Sequence, residues 1–167
     1  MGVGCAARWR LYHGAGRCGM YNPIYMSNNF LILAHRHKEH VTAMKMQKML
    51  YFLYRDYLQE TGDALFSERF STWKYGPVLE SVYYTYKKFG SSRIRGYGGI
   101  PAYSIRDEDD PILERLIKKV WTRCLLHNGI YLSVLTHRQG GAWRKAWDNG
   151  LQFLLDDDIK TDQIEIA

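Results

Sequence analysis

The chain has 167 residues and a mass of 19.6 kDa, enough for one domain with a sizeable core and too few for two ordinary ones. With 46% hydrophobic and 24% charged residues it has the composition of a globular domain, and no stretch approaches the roughly 20 apolar residues of a membrane-spanning helix. The formal charge of +6 is modest, and Arg8, Arg10 and Arg17 supply three of the positives from an acid-free N-terminal stretch, so charge alone gives weak grounds for a nucleic-acid partner.

Cys5, Cys18 and Cys124 are odd in number and widely spaced, and no apolar signal-peptide core precedes a cleavage site. A reducing cytoplasm is the expected location. Residues 1–25 carry five glycines, interspersed arginines and no hydrophobic period, so they are expected to form a disordered tail or an overextended start, leaving residues 26–167 as the domain. Cys5, His13 and Cys18 match no standard zinc spacing and lack a fourth ligand, so no metal is expected there.

A helical pattern begins at Asn28 with Phe30, Leu31, Leu33 and Ala34, and runs into the patch from His35 to His40, which reads as a solvated helix end rather than a histidine metal site. Thr42 is placed to cap a long helix on which Met46, Met49, Leu50, Leu53 and Tyr57 share one face, and Gly62 closes it. Residues 64–75 lose the helical period and read as extended chain. Pro77 then suits the first position of a new helix, with Val78, Leu79, Val82, Tyr83, Tyr86 and Phe89 forming its apolar face up to Gly90. The stretch from Ser91 to Tyr103 is rich in glycine and reads as a loop.

Asp110-Pro111 is a cap followed by Pro at the first helical position, and Leu113, Leu116, Ile117, Val120, Trp121, Cys124 and Leu125 keep a helical period toward Gly129, which makes Cys124 a core residue. Ser133 is expected to cap a short helix ending near His137. Gly140-Gly141 turns the chain into Ala142–Trp147, and Asp156-Asp157-Asp158 reads as a helix start, where carboxylates suit the dipole. The expected fold is mainly α: a compact single helical domain with a small extended or β-hairpin element.

The run Trp73-Lys74-Tyr75-Gly76-Pro77-Val78 places Gly and Pro at a sharp turn between large aromatics, which describes a structural corner better than a reaction centre. It is preceded by Met46-Gln47-Lys48-Met49-Leu50-Tyr51-Phe52 and followed by Leu132-Ser133, Leu135-Thr136-His137 and Trp143. In this order and spacing these residues resemble the Panacea domain, the family of SocA-like antitoxins and adaptors and of the phage-associated proteins called GepA, over roughly residues 28–162. The resemblance implies a small helical domain that neutralises a cognate protein toxin, encoded by a neighbouring gene, by direct contact. Some relatives instead deliver the toxin to a bacterial protease. It further implies that Lys48, Tyr51, Trp73, Lys74, Tyr75, Gly76, Pro77, Leu132, Ser133, Thr136, His137 and Trp143 are motif residues, mainly holding the fold. The chain departs at Ala142, where the family generally has Pro directly before the Trp.

Thirteen tyrosines and five tryptophans offer more amphipathic aromatic area than a core of this size should bury, and such residues serve as interface anchors. Tyr84, Arg93, Arg95 and Tyr97 are the expected toxin contacts. Two other functional classes are weaker. Ser133, His137 and Asp148 can be drawn as a triad, but no Gly-x-Ser-x-Gly elbow surrounds the serine, so neither catalysis nor a cofactor is expected. Arg93, Arg95, Lys118, Lys119, Arg123, Arg138, Arg144 and Lys145 could meet nucleic acid, yet no nucleic-acid-binding signature accompanies them.

Overall fold

A computed structural model describes residues 21–98 and 110–167. Helix α1 spans Pro23–His37 and starts earlier than the pattern from Asn28 suggested, because Asn22 caps it, accepting from the Ile24 N–H at 2.8 Å, with Pro23 in the first turn. Residues 21–25 therefore belong to the fold and not to a tail: Tyr21 N–H donates to Leu65 O at 2.7 Å, and Ile24 is buried in the core. Cys5, His13 and Cys18 lie outside the described residues. The helix ends at Lys38 in the left-handed region, and His35 to His40 are exposed as expected.

Helix α2, Ala43–Thr61, is the axis of the domain. Thr42 caps it, accepting from the Lys45 N–H, and Gly62 closes it at φ +78° with its N–H on Leu58 O. Every residue from Lys45 to Leu58 is buried, so apolar residues on all sides meet neighbouring elements, and the polar ones must find partners inside.

A hairpin follows, β1 Ser71–Trp73 and β2 Gly76–Val78, antiparallel with Ser71 opposite Val78 and Trp73 opposite Gly76. The other edge of β1 pairs with residues 152–154 through Thr72 N–H to Gln152 O and Leu154 N–H to Phe70 O. Pro77, expected to open a helix, sits in β2 opposite Thr72. The next helix, α3, spans Glu80–Tyr86 and passes through a 3-10 turn, Lys87–Phe89, to Gly90. The correction has a simple cause: β2 is an outer strand, where a residue without an N–H is tolerated.

Helix α4, Pro111–Cys124, begins at the expected Asp110 cap and buries Leu113, Leu116, Ile117, Val120, Trp121 and Cys124. Helix α5, Gly129–Thr136, is capped by Asn128 and not by Ser133, which lies inside it. Helices α6, Ala142–Asp148, and α7, Asp156–Lys160, follow, the latter with Asp156, Asp157 and Asp158 in its first turn. Among the described residues, the other helices and the hairpin are arranged about or beside α2, which packs against α1, α3, α4, α5, α7 and β2. The architecture is mainly α with a small hairpin. No helix among the described residues is long and apolar enough to cross a membrane.

Candidate functional site

The hairpin turn and the ends of α5 and α6 converge on α2. Four carbonyls of the run Trp73–Pro77 each receive one side-chain donor from a motif residue. Trp143 Nε1 donates to Trp73 O at 2.9 Å, His137 Nε2 to Lys74 O at 3.1 Å, Ser133 Oγ to Tyr75 O at 2.6 Å and Lys48 Nζ to Pro77 O at 3.1 Å. Lys74 and Tyr75 lie in the turn and Pro77 faces the open edge of β2, so their carbonyls lack ladder partners that these side chains replace, while Trp143 adds a donor to Trp73. His137 also stands edge-on to Trp143 with ring centroids 3.9 Å apart. Burial first of all holds its pKa below the ordinary histidine value.

Gly76 is dictated by space as well as by its φ of +105°: a Cβ there would lie 2.6 Å from both Lys48 Nζ and Thr136 Oγ1. Thr136 spends its own proton on Ser133 O at 2.7 Å, and Leu132 is fully buried beside it. Lys48 is 1% exposed, and desolvation lowers its pKa to about 7. Its neighbour Gln47, not expected from the motif, pairs with both backbone groups of Leu79: Nε2 donates to Leu79 O at 3.0 Å and Oε1 accepts from Leu79 N–H at 2.9 Å. Gln47 and Lys48 thus continue, with side chains, the ladder that β2 would otherwise leave open. A polar pair inside an apolar helical run was the signal for it.

Tyr51 secures the other half of the corner. Its hydroxyl donates to Asp162 at 2.5 Å, and Asp162 also accepts from the Ala142 N–H at 3.1 Å and the Ile164 N–H at 2.9 Å, with Arg55 3.9 Å away. Burial and the adjoining carboxylate raise the Tyr51 pKa well above the usual phenol range. A proline at 142 would lack the N–H that Asp162 holds, so this chain fixes the turn before Trp143 by a hydrogen bond rather than by a ring.

The polar side-chain atoms of Lys48, Tyr51, Ser133, Thr136, His137 and Trp143 are therefore used inside the fold. Ser133, His137 and Asp148 do not assemble into a relay: the first two bond separate carbonyls, and Asp148 pairs with Arg144 at 2.9 Å. Of the cations considered for nucleic acid, Lys118, Lys119, Arg123, Arg144 and Lys145 are in ion pairs with Glu114, Asp56, Glu165, Asp148 and Asp158. No group of His, Cys, Asp and Glu among the described residues could hold a metal ion.

The outer side of the same corner is apolar. Tyr75 at the turn is 60% exposed, and α5 turns Ile130 and Val134 to solvent at 68% and 58%. An aromatic row continues from Trp73 through Tyr83, 4.8 Å between centroids, to Tyr84 at 5.4 Å, with Lys87 above the Tyr84 ring. Of the expected contact residues, Tyr84 joins this row and is exposed. Arg93 and Arg95 are also exposed, but their segment runs beside the start of α2, where Arg93 bridges Thr42 and Ile94 N–H donates to Val41 O. Tyr97 is exposed next to Gly98, and the loop beyond Gly98 lies outside the described residues up to Asp110.

No curated protein and no solved structure matches the chain. Residues 46–144 match the model of the family described as antitoxin SocA-like, Panacea domain, a narrower span than residues 28–162 but one that takes in all twelve motif residues of the corner. The match covers more than half of the 167 residues, and the chain belongs to the SocA-like antitoxin family with the Panacea domain.

Proposed function

We propose that this chain is a cytoplasmic, non-catalytic antitoxin that neutralises a cognate protein toxin by direct binding, using the exposed side of the Trp73–Pro77 corner. The observation that carries this reading is the division of labour at the corner. The side-chain donors of Lys48, Ser133, His137 and Trp143 are consumed by backbone carbonyls, whereas Tyr75, Ile130, Val134, Tyr83 and Tyr84 are left facing solvent. Exposed apolar and aromatic residues gathered at one corner of a fold mark a protein-interaction site. No cofactor enters the reading.

The test is a growth rescue. The product of the adjacent reading frame is expressed in a bacterial host with and without this chain, and the two are then co-purified. Rescue accompanied by a stable complex is the expected result. Rescue only in a host with its proteases intact would replace occlusion by delivery to a protease, and no toxicity from either neighbouring gene would overturn the antitoxin reading.

A further inference from the structure

The outward face of α5 is not what a short surface helix needs for its own stability. Its inner face, Leu132, Ser133, Leu135 and Thr136, is buried against α2, while Ile130 and Val134 face water one turn apart. Leu126, in the turn between α4 and α5, is 91% exposed, and Arg138 is exposed just past the end of α5. The bond from Ser133 Oγ to Tyr75 O ties the backbone of the exposed Tyr75 to α5. Exposed aliphatic side chains of this kind add little to the stability of the helix, and they offer no stacking plane or hydrogen bond to a nucleic acid.

The electrostatics around the stripe are one-sided. The sequence contains no acid from Arg115 to Trp147 and none from Arg69 to Leu79, the two stretches that build this face. The cations on α4 and α6 are paired with carboxylates, Lys118 and Arg144 within their own helices and Arg115, Lys119, Arg123 and Lys145 with carboxylates from elsewhere in the fold. Lys74 and Arg138 are different: both are exposed, and neither meets a carboxylate among the described residues. They lie at the same end of the stripe, where His137, next to Arg138, bonds the Lys74 carbonyl. A cationic end beside an apolar stripe with no internal acid is complementary to an anionic, apolar-anchored ligand.

We propose that Leu126, Ile130, Val134 and Tyr75 form the seat for a segment of the partner protein that inserts apolar side chains along the stripe and carries a carboxylate to Lys74 and Arg138. This rests on the antitoxin reading and names the chemistry of the partner at that surface. Specificity and association rate come from the charged end, and residence time comes from the apolar stripe.

The test uses the full chain and the purified product of the adjacent reading frame, with affinity measured by titration at low and high salt. Ile130→Ser with Val134→Ser is expected to weaken binding about tenfold or more with an unchanged salt dependence, and Lys74→Glu with Arg138→Glu to weaken it comparably while flattening the salt dependence. All four positions are exposed, so thermal melts of the variants should match the parent and exclude unfolding as the cause. Parent-level affinity in both double variants would overturn the seat while leaving the antitoxin reading intact; absence of binding and rescue by the parent chain would remove both. A parent chain that elutes as a dimer, and as a monomer after Ile130→Ser with Val134→Ser, would assign the stripe to self-association. Binding of a single-stranded oligonucleotide that needs Lys74 and Arg138 but not Ile130 and Val134 would replace the protein segment by a nucleic acid.

Discussion

Lys48 donates its buried ammonium to the carbonyl of Pro77, 29 residues away in sequence, at 3.1 Å, with no carboxylate among the described residues in hydrogen-bonding contact. A backbone carbonyl compensates only part of the hydration that a charged amine loses, which is why its pKa falls to about 7. The residue serves the corner at the expense of global stability near and below neutrality.

The sign of the pH dependence follows. Folded Lys48 titrates near 7 and the unfolded side chain near 10.5, so between these values the unfolded chain binds more protons and stability rises with pH. The slope approaches about 1.4 kcal/mol per pH unit at most. Tyr51, Tyr54, Tyr57 and Tyr86 all have raised pKa values, so above about 10 their ionisation in the unfolded chain works in the opposite direction. Buried Lys45, also lowered by desolvation, and buried Cys124, pushed up to about 12, contribute with opposite signs in both chains. Thermal melts from about pH 7 to about pH 9.5 should therefore show a steeper rise of the midpoint in the parent than in Lys48→Met. Parallel profiles would mean that Lys48 does not titrate in this window.

Gln47 behaves as a surrogate strand for Leu79. Gln47→Leu removes the donor and the acceptor together and leaves a buried N–H and a buried C=O unpaired, at about 1–3 kcal/mol each. Gln47→Glu keeps an acceptor for the N–H but opposes an oxygen to Leu79 O, and should also destabilise. Urea denaturation should show a lower midpoint in both, with an unchanged slope.

Two glycines with positive φ separate conformational strain from steric conflict. At Gly62, where φ is +78°, an added Cβ would have nothing within 4 Å, so Gly62→Ala should cost only the left-handed backbone penalty of about 1 kcal/mol. Gly76→Ala meets the same kind of penalty and also drives a methyl into Lys48 Nζ and Thr136 Oγ1, so it should cost about 3 kcal/mol or more. Equal losses in chemical denaturation would show that Lys48 and Thr136 can move aside.

Tyr51 and Asp162 join α2 to the segment that ends the fold. Tyr51→Phe removes a hydrogen bond to a carboxylate and should cost about 1.5–3 kcal/mol. Asp162→Ala also strands the Ala142 N–H and takes a carboxylate from beside Arg55, and should cost about 3–5 kcal/mol. A double-mutant cycle should show coupling, because both changes break the same bond.

The local signals were legible along the chain. Thr42 and Asp110 cap the helices that their side chains announce, Gly62 stops α2, and the face from Met46 to Tyr57 is core, since each of these depends on neighbours within a few residues. The same local rules misplace Pro77 and Ser133. Proline suits a helix start and serine a cap, but Pro77 is held in a strand and Ser133 bonds a carbonyl 58 residues away. The motif was recognisable as a corner, while the use of each polar atom was not: His137 reaches Lys74 across 63 residues, Trp143 reaches Trp73 across 70 and Tyr51 reaches Asp162 across 111. Most helices, the core stripe and the family could be read from the order of residues, because capping and hydrophobic periodicity act over a few positions. Which side of the corner is spent on holding the turn, and which side faces solvent, was settled by three-dimensional packing, because buried polar groups are satisfied by whatever that packing brings within hydrogen-bonding distance.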